Sequence, residues 1–328
     1  MGLGVTVLFL WLLLRQVELA KIGAAISSIS LWSLLIALTF LAAGYTVRIA
    51  RWWWMLRVFD PKMPLSACSW PFLVSISLNN LLPFRAGDAI RVIGFYKELH
   101  FPAMRLLGTL VLERLLDLMT LLVIFYFGLL GVADGTIPTT LIRLVMWIIA
   151  AAVVAVITIL FFSKCIEMFV HWVAEHSYLK EHGWSDHIKR HSGNFLEALG
   201  LLRTPRLTLQ FIAFSALVWG FEGAVFATVA HALNIMPAAS PWFALATGTL
   251  GTLLPSSPGY VGTFDYLASL GLVAYGVGTD MAAAFAVITH IVLWLPLTLI
   301  GMSYFLRPGA RLLLRKASGG LSPQEERR

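Results

Sequence analysis

The chain has 328 residues, 59% of them hydrophobic and only 12% charged, and its mean hydropathy is +0.83. A soluble domain carries about 25% charged residues, so the composition describes an all-α polytopic membrane protein. It excludes a separate soluble enzyme domain, since the longest polar stretch, about 163–206, is too short to bury an independent core. The formal net charge of +7 is explained by loop placement rather than by nucleic acid, and two cysteines, Cys68 and Cys165, supply neither a disulfide framework nor a zinc spacing.

Taken in chain order, apolar runs predict about six spanning helices, at 2–14, 31–57, 103–130, 141–163, 206–233 and 281–306. A span needs about 20 apolar residues, and the first run is short. It has no basic n-region and no clear cleavage site, so no signal peptide is expected. Residues 16–30 read as an interfacial amphipathic helix on the outer face. Trp52, Trp53 and Trp54 read as an interfacial anchor beside Arg51 and Arg57.

Segments 70–100 and 242–278 each hold two short apolar arms around a Pro/Gly break, and read as re-entrant helical hairpins. They repeat one another. WPFLVSISLNNLLPFRAG (70–87) and WFALATGTLGTLLPSSPG (242–259) match at 7 of 18 positions with a constant offset of 172 residues. The competing reading is two ordinary helices kinked by Pro and Gly. Charge favours the hairpins. If each returns to its side of entry, residues 51–105, 164–206 and 307–328 share one face, which holds 19 of the 24 Lys and Arg. That face is assigned to the cytoplasm, against a local dissent from Arg15 and Lys21. Both termini are then inside, and the repeat is an inverted-topology one.

The whole chain, 1–328, is read as a single transmembrane domain. Repeat unit one covers about 31–130, a linker helix and cytoplasmic segment 131–205, repeat unit two about 206–306 and a basic cytoplasmic tail 307–328. Paired broken helices in corresponding positions of two halves point to a transporter's binding site.

Several polar groups fall in or beside the expected site. Each hairpin tip is expected to offer the N-terminus of its second arm, near Gly87 and Gly259, as an anion site. Asn79, Asn80, Arg85, Asp88 and Arg91 surround the first tip, and Ser256 and Ser257 add hydroxyls at the second. Asp88 and Arg91, three apart, share a helical face. They either grip a phosphate with Arg85 or form a salt bridge that pins the hairpin. Glu113, Arg114 and Asp117 interrupt an apolar run, where each charge costs roughly 2.5–3.5 kcal/mol at a bilayer centre. Glu113 and Asp117, four apart, share a face that must look inward, with Arg48 and Arg51 as partners, as a structural ion cluster or as a headgroup site. Glu222, Asp265 and His290 are candidates for proton coupling, and an interior hydrogen-bonded histidine is the competing reading of His290. His171, His176, His182, His187 and His191 lack a completed ligand set and read as a solvated helix. No metal, no cofactor and no Walker-type ATP loop is expected.

These residues resemble a known family. Arg48 with Arg51-Trp52, Asn80-Leu-Leu-Pro83 with Arg85-x-Gly87-Asp88-x-x-Arg91, Glu113-Arg114-x-x-Asp117, and Pro255-x-x-Pro258-Gly259 followed by Gly262 are similar to the flippase-like membrane family typified by the membrane half of bacterial lysyl-phosphatidylglycerol synthase. The resemblance implies a translocator of a polar-headed lipid in a bacterial cytoplasmic membrane, with membrane lipids as partners and no nucleic acid. The chain ends at Arg328 with no aminoacyl-transferase domain, so synthesis of the lysyl lipid is not expected. An intramembrane lipid-modifying enzyme, or a scaffold subunit of an envelope-lipid synthesis complex, are the other two readings.

Overall fold

A computed structural model describes residues 2–14, 18–132, 185–254 and 257–306, with scattered positions between 140 and 168. Ser256, Cys165, His171, His176, His182, the tail 307–328 and most of the expected span 141–163 lie outside the described residues.

Among the described residues every element is helical. α1 (Gly2–Leu14) and α2 (Leu19–Ser28) precede α3 (Leu31–Arg57). α4 (Leu65–Leu81) and α5 (Ala86–Phe95) flank a 3-10 turn at Pro83–Arg85. α6 (Ala103–Leu130), α7 (Ser185–Leu199) and α8 (Pro205–Ala232) follow. α9 (Ser240–Gly251) and α10 (Thr263–Val273) flank a second 3-10 turn at Pro258–Tyr260, and α11 (Thr279–Ser303) ends in a further turn.

Local chemistry sets these boundaries. Ser30 caps α3 by accepting the Ser33 N–H at 3.1 Å, the usual task of a serine at this position. Pro205 opens α8 and Pro241 lies in the first turn of α9, where a missing N–H costs nothing. Pro83 forces Leu82 into extended backbone and so stops α4.

Among the described residues, three helices are long and apolar enough to cross a membrane: Leu31–Arg57, Pro205–Ala232 and Thr279–Leu306. Their outward faces are apolar, with Trp32 76%, Leu209 69% and Leu299 62% exposed, a surface that hydrocarbon tolerates and water penalises. α6 has the length, but Glu113, Arg114 and Asp117 interrupt its apolar run. α1 has 13 residues, which at 1.5 Å per residue gives about 20 Å against a hydrocarbon core of about 30 Å.

The two halves of the chain interlock. α3 lies along α8, α4 packs on α11, and α9 packs on α6. Within each half the short helices fold back on one another, α4 on α5 and α9 on α10, and the turns at 83–85 and 258–260 touch. Gly87 permits the first of these close approaches. A Cβ there would lie 2.0 Å from the Ser75 carbonyl oxygen and 2.6 Å from the Asn79 nitrogen. Ala282, Ala283, Ala284 and Ala286 with Phe226, Phe264 and Phe285 form the centre of the larger apolar core, and Trp52, Phe72 and Phe95 belong to a second.

Of the three adjacent tryptophans expected as an anchor, Trp52 is turned inward. Trp52 is only 1% exposed and donates to Thr109 at 3.2 Å, while Trp53 and Trp54 donate to the Met63 carbonyl and to Gln210. Helical periodicity turns Trp52 inward beside Arg48 and Arg51, which a run of three identical residues conceals.

Candidate functional site

The site is assembled from six helices, with α4 and α9 adding lining residues to α3, α5, α6 and α8, and from the two turns. α3 carries Tyr45, Arg48 and Arg51 at intervals of three, so they share a face. α5 carries Asp88 and Arg91, α6 carries Glu113, Arg114 and Asp117, and α8 carries Ser215, Trp219 and Glu222.

Their charges close into a network. Arg48 binds Glu222 and approaches Asp117 at 3.7 Å. Arg51 donates to Asp117 at 2.8 Å and to Ser215 at 2.7 Å, with Glu113 at 3.8 Å. Arg91 donates to Glu113 at 3.2 Å. Arg114 reaches Asp88 with both Nε and Nη2, at 2.9–3.2 Å. Four guanidinium groups thus meet four carboxylates. Buried charges persist only when paired and hydrogen-bonded in this way, and planar guanidinium suits carboxylate best.

A cavity of about 460 Å³ opens beside the network. It is lined by Tyr45, Arg48, Asp117, Trp219 and Glu222 on one side, by Asn79, Asn80, Arg85, Asp88 and Arg114 on another, and by Thr249, Leu253 and Tyr260 of the second hairpin. The Oδ2 atom of Asp117 is buried without a hydrogen-bond partner. Arg48 lies 4.8 Å from the Trp219 ring centroid, a cation–π contact.

Arg85 differs from the other arginines. It donates to the Thr252 hydroxyl at 2.7 Å and lies 5.8 Å from the Tyr260 ring, and no carboxylate forms an ion pair with it among the described residues. Its backbone, like that of Phe84, is left-handed, with φ of 53° and 57°. For residues with a Cβ this conformation costs about 1–2 kcal/mol each, strain of the kind found at ligand clamps. The strained turn throws the Arg85 side chain across to the opposite hairpin.

The expected residues divide as follows. Asn79, Asn80, Arg85, Asp88, Arg48, Arg114, Asp117 and Glu222 line the cavity. Arg51 and Glu113 stand behind it as the counter-charges that the cost of burial demanded. Arg91 does not reach the cavity. It is 1% exposed, clasped between the Trp52 and Phe72 rings at 4.8 Å each, and bound to Glu113. Asp88 and Arg91 therefore pin the hairpin through separate partners and do not form a joint phosphate grip. The Ser257 N–H donates to Thr6 and its hydroxyl to the Pro258 carbonyl, outside the cavity.

Each of the two helix N-termini also has one donor taken up from within. Asn79 accepts the Asp88 N–H at 3.0 Å, and Asp265 accepts the Gly262 N–H at 2.9 Å. These side chains satisfy one backbone donor at each terminus. Gly259 adopts φ of 71° in the turn, four residues ahead of α10, where glycine is unstrained. Its carbonyl faces His290 Nε2 at 2.8 Å, and His290 Nδ1 faces Asp265 Oδ1 at 2.8 Å. Asp265 and His290 form this separate pair and do not line the cavity.

Tyr45, Trp219 and Tyr260 were missed from the sequence. Tyr45 and Trp219 precede Arg48 and Glu222 by three residues, the helical spacing that places them over the same cavity. Tyr260 carried no comparable signal.

Among the described residues, the fold and this internal charged site define an all-helical membrane protein with three candidate spans. The chain belongs to the lysylphosphatidylglycerol synthase transmembrane-region family, whose description matches residues 1–301. That family is membrane-associated and lipid-related. No curated protein matched the chain.

Proposed function

We propose that this protein moves a polar-headed, phosphate-bearing lipid between membrane leaflets without altering it chemically. The carrying observation is the cavity with one cation, Arg85, left over once four arginines have paired with four carboxylates among the described residues. An anionic headgroup is the chemistry that complements a guanidinium without a counter-ion. Asn79, Asn80 and Tyr260 add polar groups at the same wall.

In this reading the helix pairs α4–α5 and α9–α10 are re-entrant hairpins entering from opposite leaflets, and their touching turns lie near the midplane. The crossed packing of α4 on α11 and α9 on α6 supports an inverted repeat, since a two-fold relation in the membrane plane exchanges those two contacts. The location proposed is a bacterial cytoplasmic membrane with both termini inside.

The test is reconstitution in liposomes with a panel of labelled phospholipids and lipid-linked glycans, scoring transfer between leaflets. Arg85→Ala is expected to reduce transfer at least tenfold, the scale of one charged hydrogen bond. Equal rates for wild type and Arg85→Ala, or no transfer of any phosphate-bearing lipid, would overturn the proposal.

A further inference from the structure

We propose that His290 is a proton-dependent clasp, holding the second hairpin's tip against the cavity when protonated and releasing it when neutral. The inference concerns the position of the tip and does not depend on which lipid, if any, is carried.

His290 stands between two acceptors. Nδ1 faces the Asp265 carboxylate and Nε2 faces the Gly259 carbonyl oxygen, both at 2.8 Å. A neutral imidazole has one N–H and one lone pair, whereas imidazolium has two N–H groups. Beside an ionised Asp265, only the protonated ring satisfies both contacts. On deprotonation the Asp265 contact keeps the remaining proton, because a carboxylate is the stronger acceptor. The Nε2 lone pair then confronts the carbonyl oxygen, and the attraction that held Gly259 becomes a repulsion.

The tip is placed to transmit this change. Gly259 is followed by Tyr260, which lines the cavity and covers Arg85. The same face of α11 also holds the first hairpin, since Asn80 donates to Thr298 at 2.8 Å and to the Trp294 carbonyl at 3.3 Å. Residues 290, 294 and 298 are one helical turn apart. Those two bonds involve only neutral groups. One helix therefore fastens both tips, the first by uncharged hydrogen bonds and the second by an ionisable one, so a proton moves one tip relative to the other.

The surroundings leave the switch to this pair. α10 presents Asp265, His290's ion-pair partner among the described residues, and the Phe264 ring at 5.0 Å. Of the other helices packed on α11, α4 carries Cys68, α3 carries Arg48 held by Glu222 and Asp117, and α8 carries that Glu222 with Arg206 and His231 at its two ends. α2 carries Lys21 and α11 itself carries Asp280.

The test is amide hydrogen exchange of the full chain in nanodiscs, without added substrate lipid, followed for peptides covering 257–262 across pH 5–9 and corrected for the intrinsic exchange rate. Wild type is expected to protect this segment at acid pH and to exchange at least tenfold faster above the titration midpoint. His290→Gln is expected to exchange fast throughout. Asp265→Asn, whose amide oxygen can still accept the Gly262 N–H while its NH2 donates to Nδ1, leaves the neutral ring an Nε2–H for the Gly259 carbonyl, so it is expected to abolish the release at high pH, and it keeps the test open if His290→Gln does not fold. A flat wild-type profile, or a His290→Gln or Asp265→Asn profile identical to wild type, would overturn the clasp. A pH-dependent tip in a protein that transfers no lipid would leave the clasp standing and sink the transport reading alone.

Discussion

Arg51 is fully buried and spans Asp117, Ser215 and Glu113. Its removal leaves two buried carboxylates short of a counter-charge, a loss of about 3–5 kcal/mol for a broken buried pair. Arg51→Ala is therefore expected to lower the thermal unfolding midpoint of the detergent-purified protein sharply, and Arg51→Lys only partly, since one ammonium cannot reproduce the planar fork. An unchanged midpoint for Arg51→Ala would refute the structural role. The pairing of α3 arginines with α6 carboxylates was legible in the sequence, because charges in an apolar run require partners and few candidates existed. The fate of Arg91 was not. Its spacing from Asp88 is compatible with a shared ligand, and only the tertiary packing of Trp52 and Phe72 withdraws it from the cavity.

At the scale of elements, the α4–α5 hairpin depends on its close approach at Gly87. Gly87→Ala places a methyl group within 2.0 Å of backbone, and the two helices must separate. The expected cost is about 1–3 kcal/mol, together with a displaced Asp88 and weaker lipid transfer. Gly220→Ala on α8 is the control, because nothing lies within 4 Å of its added Cβ, and a thermal-shift comparison of the two variants decides the matter. The breaks at Pro83 and Gly259 were readable from proline and glycine chemistry. The internal capping of α5 and α10 was less so. Asp265 lies three residues after Gly262, a spacing that signals a cap, but Asn79 reaches Asp88 across the hairpin and leaves no local pattern.

For the whole molecule, an inverted repeat makes a directional claim about its two long leading helices. Trp32→Cys and Thr204→Cys, each in a background with Cys68 and Cys165 replaced, are expected to react with an impermeant maleimide from opposite sides of the membrane. Reaction from the same side would refute the inversion. The repeat itself was legible as 7 shared positions at one offset, while the way the halves embrace was not, because identity between segments says nothing about which segment touches which. The crossed contacts of α3 with α8, α4 with α11 and α6 with α9 carry a consequence for biosynthesis. Each half leaves the ribosome with its inward faces uncovered and finds their complements only on the other half, so continuity of the chain matters less than the presence of both pieces. Two separately translated fragments, divided between 132 and 185, are expected to co-purify as one particle, whereas either fragment expressed alone is expected to be degraded.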